Sequence, residues 1–164
     1  MKRKILISAF ALIVVFLLAY FGGGYIVYDK LSKVPPIDQK TLNNIPTNFV
    51  VTYDKRAGFD TAPCEMSSYQ VVSFPSLQKD ITLRGWYIEV DPSAPVVIVT
   101  HGLGASKRDA NVLVPAGMLS HNGFNVLMYD LRNHGESDSD NGRAGIGNKE
   151  YQDVLGAWHW LIDV

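Results

Sequence analysis

The chain has a long apolar run near its N-terminus, and beyond the first four residues charged and polar residues are frequent only after this run. After MKRK, the run Ile5–Tyr28 contains no charged side chain. As a helix it would be about 36 Å long at about 1.5 Å per residue, more than the bilayer's hydrocarbon core of about 30 Å. The pattern predicts that residues 1–28 are a cytoplasmic tip and a transmembrane signal anchor, with residues 5–28 in the membrane.

The charges beside this run predict its orientation. Lys2, Arg3 and Lys4 precede it, whereas DKLSK on the other side carries both signs. Because positive residues stay on the cytoplasmic side, we expect a single span in the cell membrane, a cytoplasmic N-terminus and an extracytoplasmic domain. Cleavage near Gly22–Gly24 is the alternative, although the apolar run is longer than a usual signal-peptide core.

After the anchor, the pattern of polar and apolar positions differs from one segment to the next. Residues 29–48 are polar and proline-containing, which predicts a stalk, or a strap lying on the domain. Residues 68–74 and 81–90 are rich in β-forming side chains, and the short PSLQKD between them predicts a hairpin. The apolar runs 96–100 and 125–130 are typical of strands buried on both faces of a parallel sheet.

Two helices are expected among these strands. Ser106 and Asp109 indicate the N-terminus of a helix, and Gly123 indicates a helix C-terminus. Pro115 is expected in the first turn of a second helical segment between them. The last segment carries one apolar stripe at helical spacing, formed by Tyr151, Val154, Leu155, Trp158, Leu161 and Ile162. The order β-β-β-α-β-α indicates an α/β protein in which the last two strands are parallel.

Composition narrows the function classes. The chain has 164 residues, 47% of them hydrophobic and 19% charged, which is room for about one folded domain. A net charge of −1 with scattered basic residues offers no basic face, so we expect no nucleic-acid partner. The single cysteine, Cys64, cannot form an intramolecular disulfide, and we expect it in or near the core.

The glycine-rich turn HGLGAS after residues 96–100 could serve three kinds of chemistry. A dinucleotide fingerprint needs a third glycine where Lys107 stands, and a phosphate loop needs a different sequence around this lysine. The remaining alternative is an oxyanion loop, in which a backbone N–H stabilises negative charge on a reacting oxygen. Glycine at such a turn leaves the backbone donor accessible.

Two loops together carry a resemblance to a known family. VVIVTHGLGASKRD and NVLMYDLRNHGESD, flanked by ITLRGWYIE and KEYQDVLGAWHWL, resemble the α/β-hydrolase superfamily over about residues 66–164. Within it they are similar to membrane-anchored, serine-aminopeptidase-like (hydrolase 4 type) bacterial proteins. The resemblance implies that residues 49–164 form the N-terminal half of an α/β-hydrolase sheet, mostly parallel with antiparallel first strands.

The resemblance also implies roles for residues of the two loops. The backbone N–H of Leu103 would be one oxyanion donor, with His101 and Gly102 supporting the loop and His101 not acting as the base. The superfamily's D-x-R-x-x-G-x-S loop, which shapes the carboxyl edge of the sheet, is matched by Asp130, Arg132, Gly135 and Ser137. Asn133 stands where glycine is usual, a mild departure because asparagine tolerates left-handed backbone.

The nucleophile of the superfamily lies in G-x-S-x-G, a motif that this sequence does not contain. Because the acid and the histidine follow that serine along the chain, we expect all three beyond residue 164. Residues 49–164 would then be an incomplete domain without hydrolase activity of its own, and a small acyl or peptide substrate would bind only to an intact parent. We expect structural or solvated roles for His121, His134 and His159.

Neither a metal nor a cofactor is expected. The sequence has no H-E-x-x-H and no paired cysteines, and DSDNG at 138–142 departs from a calcium loop because Lys149 occupies the position of the bidentate glutamate.

The resemblance implies a strand order beginning 1-2-4-3-5, which would place residues 96–100 beside the nucleophile strand. Without that strand we expect an open β-branched edge that associates or aggregates. A non-catalytic anchored interaction module and a non-functional remnant are the alternatives to a truncated enzyme.

Overall fold

A computed structural model describes residues 2–38, 40–52, 58–78 and 80–163. The contacts divide the chain into two units, one up to Lys33 and the other from Val34 onwards. Nine residues of the expected segments lie outside the described ranges: Met1 of the cytoplasmic tip, Gln39 of the stalk, and residues 53–57, Lys79 and Val164 of the domain.

The first unit is a single helix, α1 (Lys2–Ser32). It continues past Tyr28, where the predicted anchor ends. Its part Leu6–Ser32 has a mean hydropathy of 2.4 and is long and apolar enough to cross a membrane. These properties are compatible with a single-pass anchor or with a signal sequence.

The second unit is built on a four-stranded sheet. Its strands are β1 (Gln70–Pro75), β2 (Thr82–Ile88), β3 (Val96–Thr100) and β4 (Asn125–Tyr129). The order β1-β2-β4-β3 is the one that the resemblance implies. β1 and β2 form the predicted antiparallel hairpin, β2 and β4 are antiparallel, and β3 and β4 are parallel. The sheet is therefore mixed, with its parallel part limited to β3 and β4.

Two helices, α2 (Ala110–His121) and α3 (Tyr151–Asp163), cover opposite faces of this sheet. Successive side chains of a strand point to opposite faces. Val126 and Met128 of β4 pack in the cluster that contains the apolar residues of α2, and Leu127 and Tyr129 pack in the cluster that contains Ala157 of α3. All residues of β4 are buried, as the sequence predicts for a strand covered on both faces.

The structure corrects the expected position of Pro115, which lies inside α2 and not in the first turn of a separate piece. A proline in the helix interior removes one backbone hydrogen bond. Its neighbours Leu113 and Ala116 are fully buried against the sheet. This packing of α2 compensates for the missing bond, so that one helix continues through the proline.

The structure also corrects the face on which α3 packs. Asp153, Gly156 and Ala157 are its buried residues, whereas Trp158 and Ile162 of the predicted stripe are 57% and 64% exposed. The buried side approaches β1 so closely that a side chain at Gly156 would collide with a backbone carbonyl oxygen of that strand. Most of the apolar stripe therefore remains in contact with solvent.

Gly117 allows α2 to touch a short 3-10 helix, Ala62–Cys64. A Cβ atom at Gly117 would collide with the carbonyl oxygen of Cys64. The Cys64 thiol is free and buried in the cluster beneath this contact, as expected for a core cysteine. Any side chain at Gly117 must therefore push the helix away from the turn.

We expect Gly117→Ala to lower the free energy of unfolding by about 1–3 kcal/mol, the usual cost of overpacking, even though alanine favours helix. Urea unfolding of the full-length protein in detergent, followed by tryptophan fluorescence, measures this difference. Met118→Ala, on the exposed side of the same helix, is the matched control and should change stability by less than about 0.5 kcal/mol. Equal stability of the two variants would contradict the close contact.

Candidate functional site

The predicted site residues lie in two loops at one edge of the sheet. The β3 loop (residues 101–109) follows β3, and the β4 loop (residues 130–150) follows β4. Because β3 and β4 are parallel, their carboxyl ends lie at the same edge, where open α/β sheets bind ligands. The structure brings all seven predicted residues into these loops.

His101 links the two loops. Its Nδ1 lies 2.8 Å from the carbonyl oxygen of Gly102 and must carry the proton, because a carbonyl oxygen can only accept. Its Nε2 accepts the backbone N–H of Leu131 at 3.0 Å. Burial lowers the pKa of this imidazole below its usual value, so the ring is neutral at pH 7. With both nitrogens bonded, the ring has no free nitrogen to act as a general base.

His134 makes the same kind of link in the opposite direction. Its Nδ1 donates to the carbonyl oxygen of Arg132 at 2.9 Å, and its Nε2 accepts the backbone N–H of Gly104 at 3.4 Å. The centres of the two imidazole rings are 4.8 Å apart. From the sequence we expect a structural or solvated role for His134. The signal in the sequence for this contact is that His134 lies inside the matched β4 loop.

Asp130 is the centre of the contact between the loops. Its buried carboxylate accepts the backbone N–H of Lys107 at 2.8 Å, the Nζ of the same lysine at 2.5 Å and the backbone N–H of Glu136 at 2.9 Å. The Lys107 side chain is only 1% exposed. Sequence reasoning used Lys107 to exclude nucleotide motifs and missed that it is the buried partner of Asp130.

Gly135 and Ser137 complete the matched part of the β4 loop. Gly135 has a φ of +53°, and a Cβ atom there would collide with the Asp130 carboxylate. Ser137 Oγ donates to the carbonyl oxygen of Asp130 at 2.5 Å and accepts the backbone N–H of Arg84 at 2.9 Å. The two residues therefore hold the loop against the end of β4 and against β2.

Arg132 connects the β4 loop to α3 and to the turn between β1 and β2. Its Nε and Nη2 donate to Asp153 Oδ1 at 3.0 and 2.8 Å, and both side chains are fully buried. Its guanidinium also donates to Ser76 Oγ at 2.8 Å and to Gln78 Oε1 at 2.9 Å. The sequence analysis did not single out Asp153, which lies in the first turn of α3.

Asn133 adopts the left-handed backbone that its type allows, with a φ of +65°. Its Oδ1 accepts the hydroxyl of Ser139 at 2.8 Å and the backbone N–H groups of Asp140 and Gly142, each at 3.0 Å. The DSDNG segment therefore turns around an amide oxygen. Within the described ranges, no group of three or more histidine, cysteine or acidic side chains is placed to hold a metal ion.

Leu103 lies on the wall of a cleft of about 350 Å³, which the β3 loop, the β4 loop and the start of α3 enclose. Its side chain is 59% exposed. Among the hydrogen bonds of the described residues, none uses the backbone N–H of Leu103 as donor. An oxyanion donor needs an N–H without an internal partner in a residue that lines a cavity.

Glu150 also lines this cleft. Its carboxylate accepts the backbone N–H of Gly145 at 2.6 Å and that of Gly147 at 2.9 Å. Burial raises the pKa of this carboxyl, but the backbone hydrogen bonds outweigh burial and lower the pKa below its usual value. Glu150 is therefore ionised at neutral pH and holds the loop in front of α3.

We expect Asp153→Asn to lower the free energy of unfolding by about 3–5 kcal/mol, because it leaves the Arg132 guanidinium buried without a counter-charge. The double variant Arg132→Met/Asp153→Leu removes both charges and should recover part of this loss. Urea unfolding of the full-length protein gives both values. A double variant less stable than the single one would show that the ion pair is itself a net source of stability.

No protein-family profile matches the chain. Among curated proteins, the thiohydrolase aneE of Aspergillus aculeatus is 28% identical over 99 residues, which make up 59% of this chain and 30% of that protein.

Solved structures are similar over more of the chain. The Pyrococcus furiosus esterase Pf2001 has a TM-score of 0.55 at 22% identity, over 80% of this chain and 42% of its own. DcsB, solved with a substrate analogue, has a TM-score of 0.52 at 27% identity, over 59% of this chain and 33% of its own. This chain thus spans less than half the length of each relative. The strand order, the two loops and these likenesses together show that the described residues have an α/β-hydrolase-like fold.

Proposed function

We propose that the chain is the N-terminal portion of a membrane-anchored serine hydrolase, in which Leu103 supplies one oxyanion donor. The unbonded N–H of Leu103 at the wall of the cleft carries this proposal. The loop that presents it is held at both ends, by His101 to Leu131 and by Lys107 to Asp130. An esterase and a thiohydrolase among the relatives support a reaction in which an acyl group is transferred to water.

In such a reaction a serine hydroxyl attacks the carbonyl carbon of an ester, amide or peptide, and the carbonyl oxygen becomes an oxyanion. The backbone N–H of Leu103 would donate a hydrogen bond to that oxygen. Because the loop is already held in place, the donor need not reorganise as the charge develops, which is the main advantage of such a site. The tetrahedral intermediate then collapses and expels the alcohol or amine, which takes up the proton that the serine hydroxyl gave to the general base, and an acyl-serine remains. Water then hydrolyses the acyl-serine to release the acid and the free serine.

The catalytic serine, its histidine and its acid would come from residues other than these 164. The sequence contains no G-x-S-x-G, and neither His101 nor His134 has a free ring nitrogen. The chain alone therefore has no turnover in this proposal. The edge position of β3 and the exposed apolar face of α3 support a further strand and helix packing there.

Helix α1 would hold this domain at the membrane. Its hydropathy and the basic residues Lys2, Arg3 and Lys4 before it support a single span with a cytoplasmic N-terminus and an extracytoplasmic domain.

A non-catalytic role is the second candidate, and the open edge of β3 favours it. An unpaired edge strand can accept a strand of a partner protein. The chain would then be an anchored interaction module, or a remnant without function.

The first experiment is to sequence the source DNA past codon 164 in all three forward frames. We expect a strand-like run ending in G-x-S-x-G within about 30 codons, the room that a short loop and a strand need. The 164-residue chain should neither cleave a p-nitrophenyl ester above a buffer control nor react with a fluorophosphonate probe. A stop followed by unrelated sequence, or labelling of a serine in this chain, would contradict the proposal.

In a protein extended by the encoded serine, histidine and acid, we expect Leu103→Pro to lower kcat by about 100- to 1000-fold, the usual effect of losing one oxyanion donor. Proline has no N–H to donate. Leu103→Ala keeps the N–H and is the matched control, so it should retain most of the activity. Similar kcat values for the two variants would remove Leu103 from the oxyanion site.

A further inference from the structure

The segment before the domain core, residues 34–48, lies on the same edge of the sheet as the two loops; we call it the strap. The backbone N–H of Val34 donates to the carbonyl oxygen of Gly142 in the β4 loop at 3.1 Å. Pro35 lies against Gly104 of the β3 loop, where its Cγ would be 3.3 Å from an added Cβ atom. The strap thus contacts both loops, and it does so next to the residue that follows Leu103.

Asn44 makes the strap's main polar contact with the β3 loop. Its buried side chain donates from Nδ2 to the carbonyl oxygens of Arg108 and Val50, each at 3.1 Å. In return, Arg108 Nη1 donates to the carbonyl oxygen of Asn44 at 2.9 Å. Because a buried amide is costly without partners, this reciprocal pair holds the end of the β3 loop against the strap.

Arg108 extends the contact towards Asp130. Its Nη2 donates to Glu136 Oε1 at 2.6 Å, and Lys107 Nζ donates to Glu136 Oε2 at 2.8 Å. Burial raises the pKa of the Glu136 carboxyl, but hydrogen bonds from Lys107 and Arg108 outweigh it and lower the pKa from 4.5 to about 2. Both cations also stand over the Trp86 ring, 5.1 and 5.2 Å from its centre. One charged network therefore joins Asn44 to the carboxylate that holds both loops.

We infer that Asn44 is a positioning residue for the β3 loop: through Arg108 it fixes where the unbonded N–H of Leu103 points. The loop's own contacts hold its two ends, at His101 and Lys107, and the strap supplies a hold on Arg108 from outside the loop. An effect of Asn44 on catalysis rests on the proposed function. The effect of Asn44 on the position of the β3 loop does not, because it concerns only contacts within this chain.

Hydrogen–deuterium exchange of the full-length protein in detergent tests the geometric claim. In Asn44→Ala we expect the hydrogen-bonded amides of residues 104–107 to exchange about tenfold faster, because the hydrogen bond from the buried Asn44 Nδ2 to the carbonyl oxygen of Arg108 is lost, while those of β2 and β4 stay unchanged. Thr61→Val is the control, since it removes a buried hydrogen bond from Thr61 Oγ1 to the carbonyl oxygen of Phe49 that does not involve the loop. An unchanged loop in Asn44→Ala, or faster exchange throughout the sheet in both variants, would overturn the inference.

A double-variant cycle with Arg108→Met asks whether Asn44 acts through Arg108. The effects of the two changes on loop exchange should be clearly less than additive, and full additivity would contradict this route. In an extended, active protein, Asn44→Ala should lower kcat and leave KM unchanged, whereas Thr61→Val should alter neither. If the source DNA encodes no serine motif, the proposed function fails, but the exchange result still decides the inference.

Discussion

The carboxylate of Asp130 is buried at the end of β4. A buried negative charge is stable only if an opposite charge and hydrogen-bond donors replace the water that it has lost. Lys107 provides the opposite charge and a backbone donor, and Glu136 provides a second backbone donor. Gly135 has to be a glycine because no side chain fits beside that carboxylate. Asp130 thus holds the β3 loop at Lys107 and the β4 loop at Glu136 through one carboxylate.

Around this centre the site edge is held by charges and hydrogen bonds more than by apolar packing. A second buried ion pair, Arg132 with Asp153, holds α3 against the β4 loop. Such pairs add little net stability compared with well-packed apolar residues, but breaking them is costly. The two buried ion pairs therefore favour one arrangement of the loops over other, equally compact arrangements in which these pairs would be broken. That property suits the oxyanion donor that we propose at Leu103, because such a donor must stay in place while a charge develops nearby.

The sequence predicts the sheet better than it predicts the site. Strands β3 and β4 follow from continuous apolar runs, and their order from the resemblance of two loops. The partners of Asp130 and Arg132 could not be found in the same way, because they are remote in sequence and have no characteristic spacing. Helical periodicity predicted α3 but not the face of α3 that is buried. The ion pair of Arg132 with Asp153 and the close approach of Gly156 to the backbone of β1 decide which face is buried, and apolar character does not.

The strand order also has a consequence for how the domain folds as it is synthesised. β4 comes after the other three described strands along the sequence, yet it lies between β2 and β3 and is buried throughout. Until β4 has left the ribosome, no strand joins β2 to β3, and α2 has no complete sheet to pack against. A nascent chain that stops short of Asn125 can form little more than the local β1–β2 hairpin, which is marginally stable by itself. Folding of these four strands is therefore delayed until β4 is inserted between β2 and β3, and chaperones or proteases meet an open chain until then.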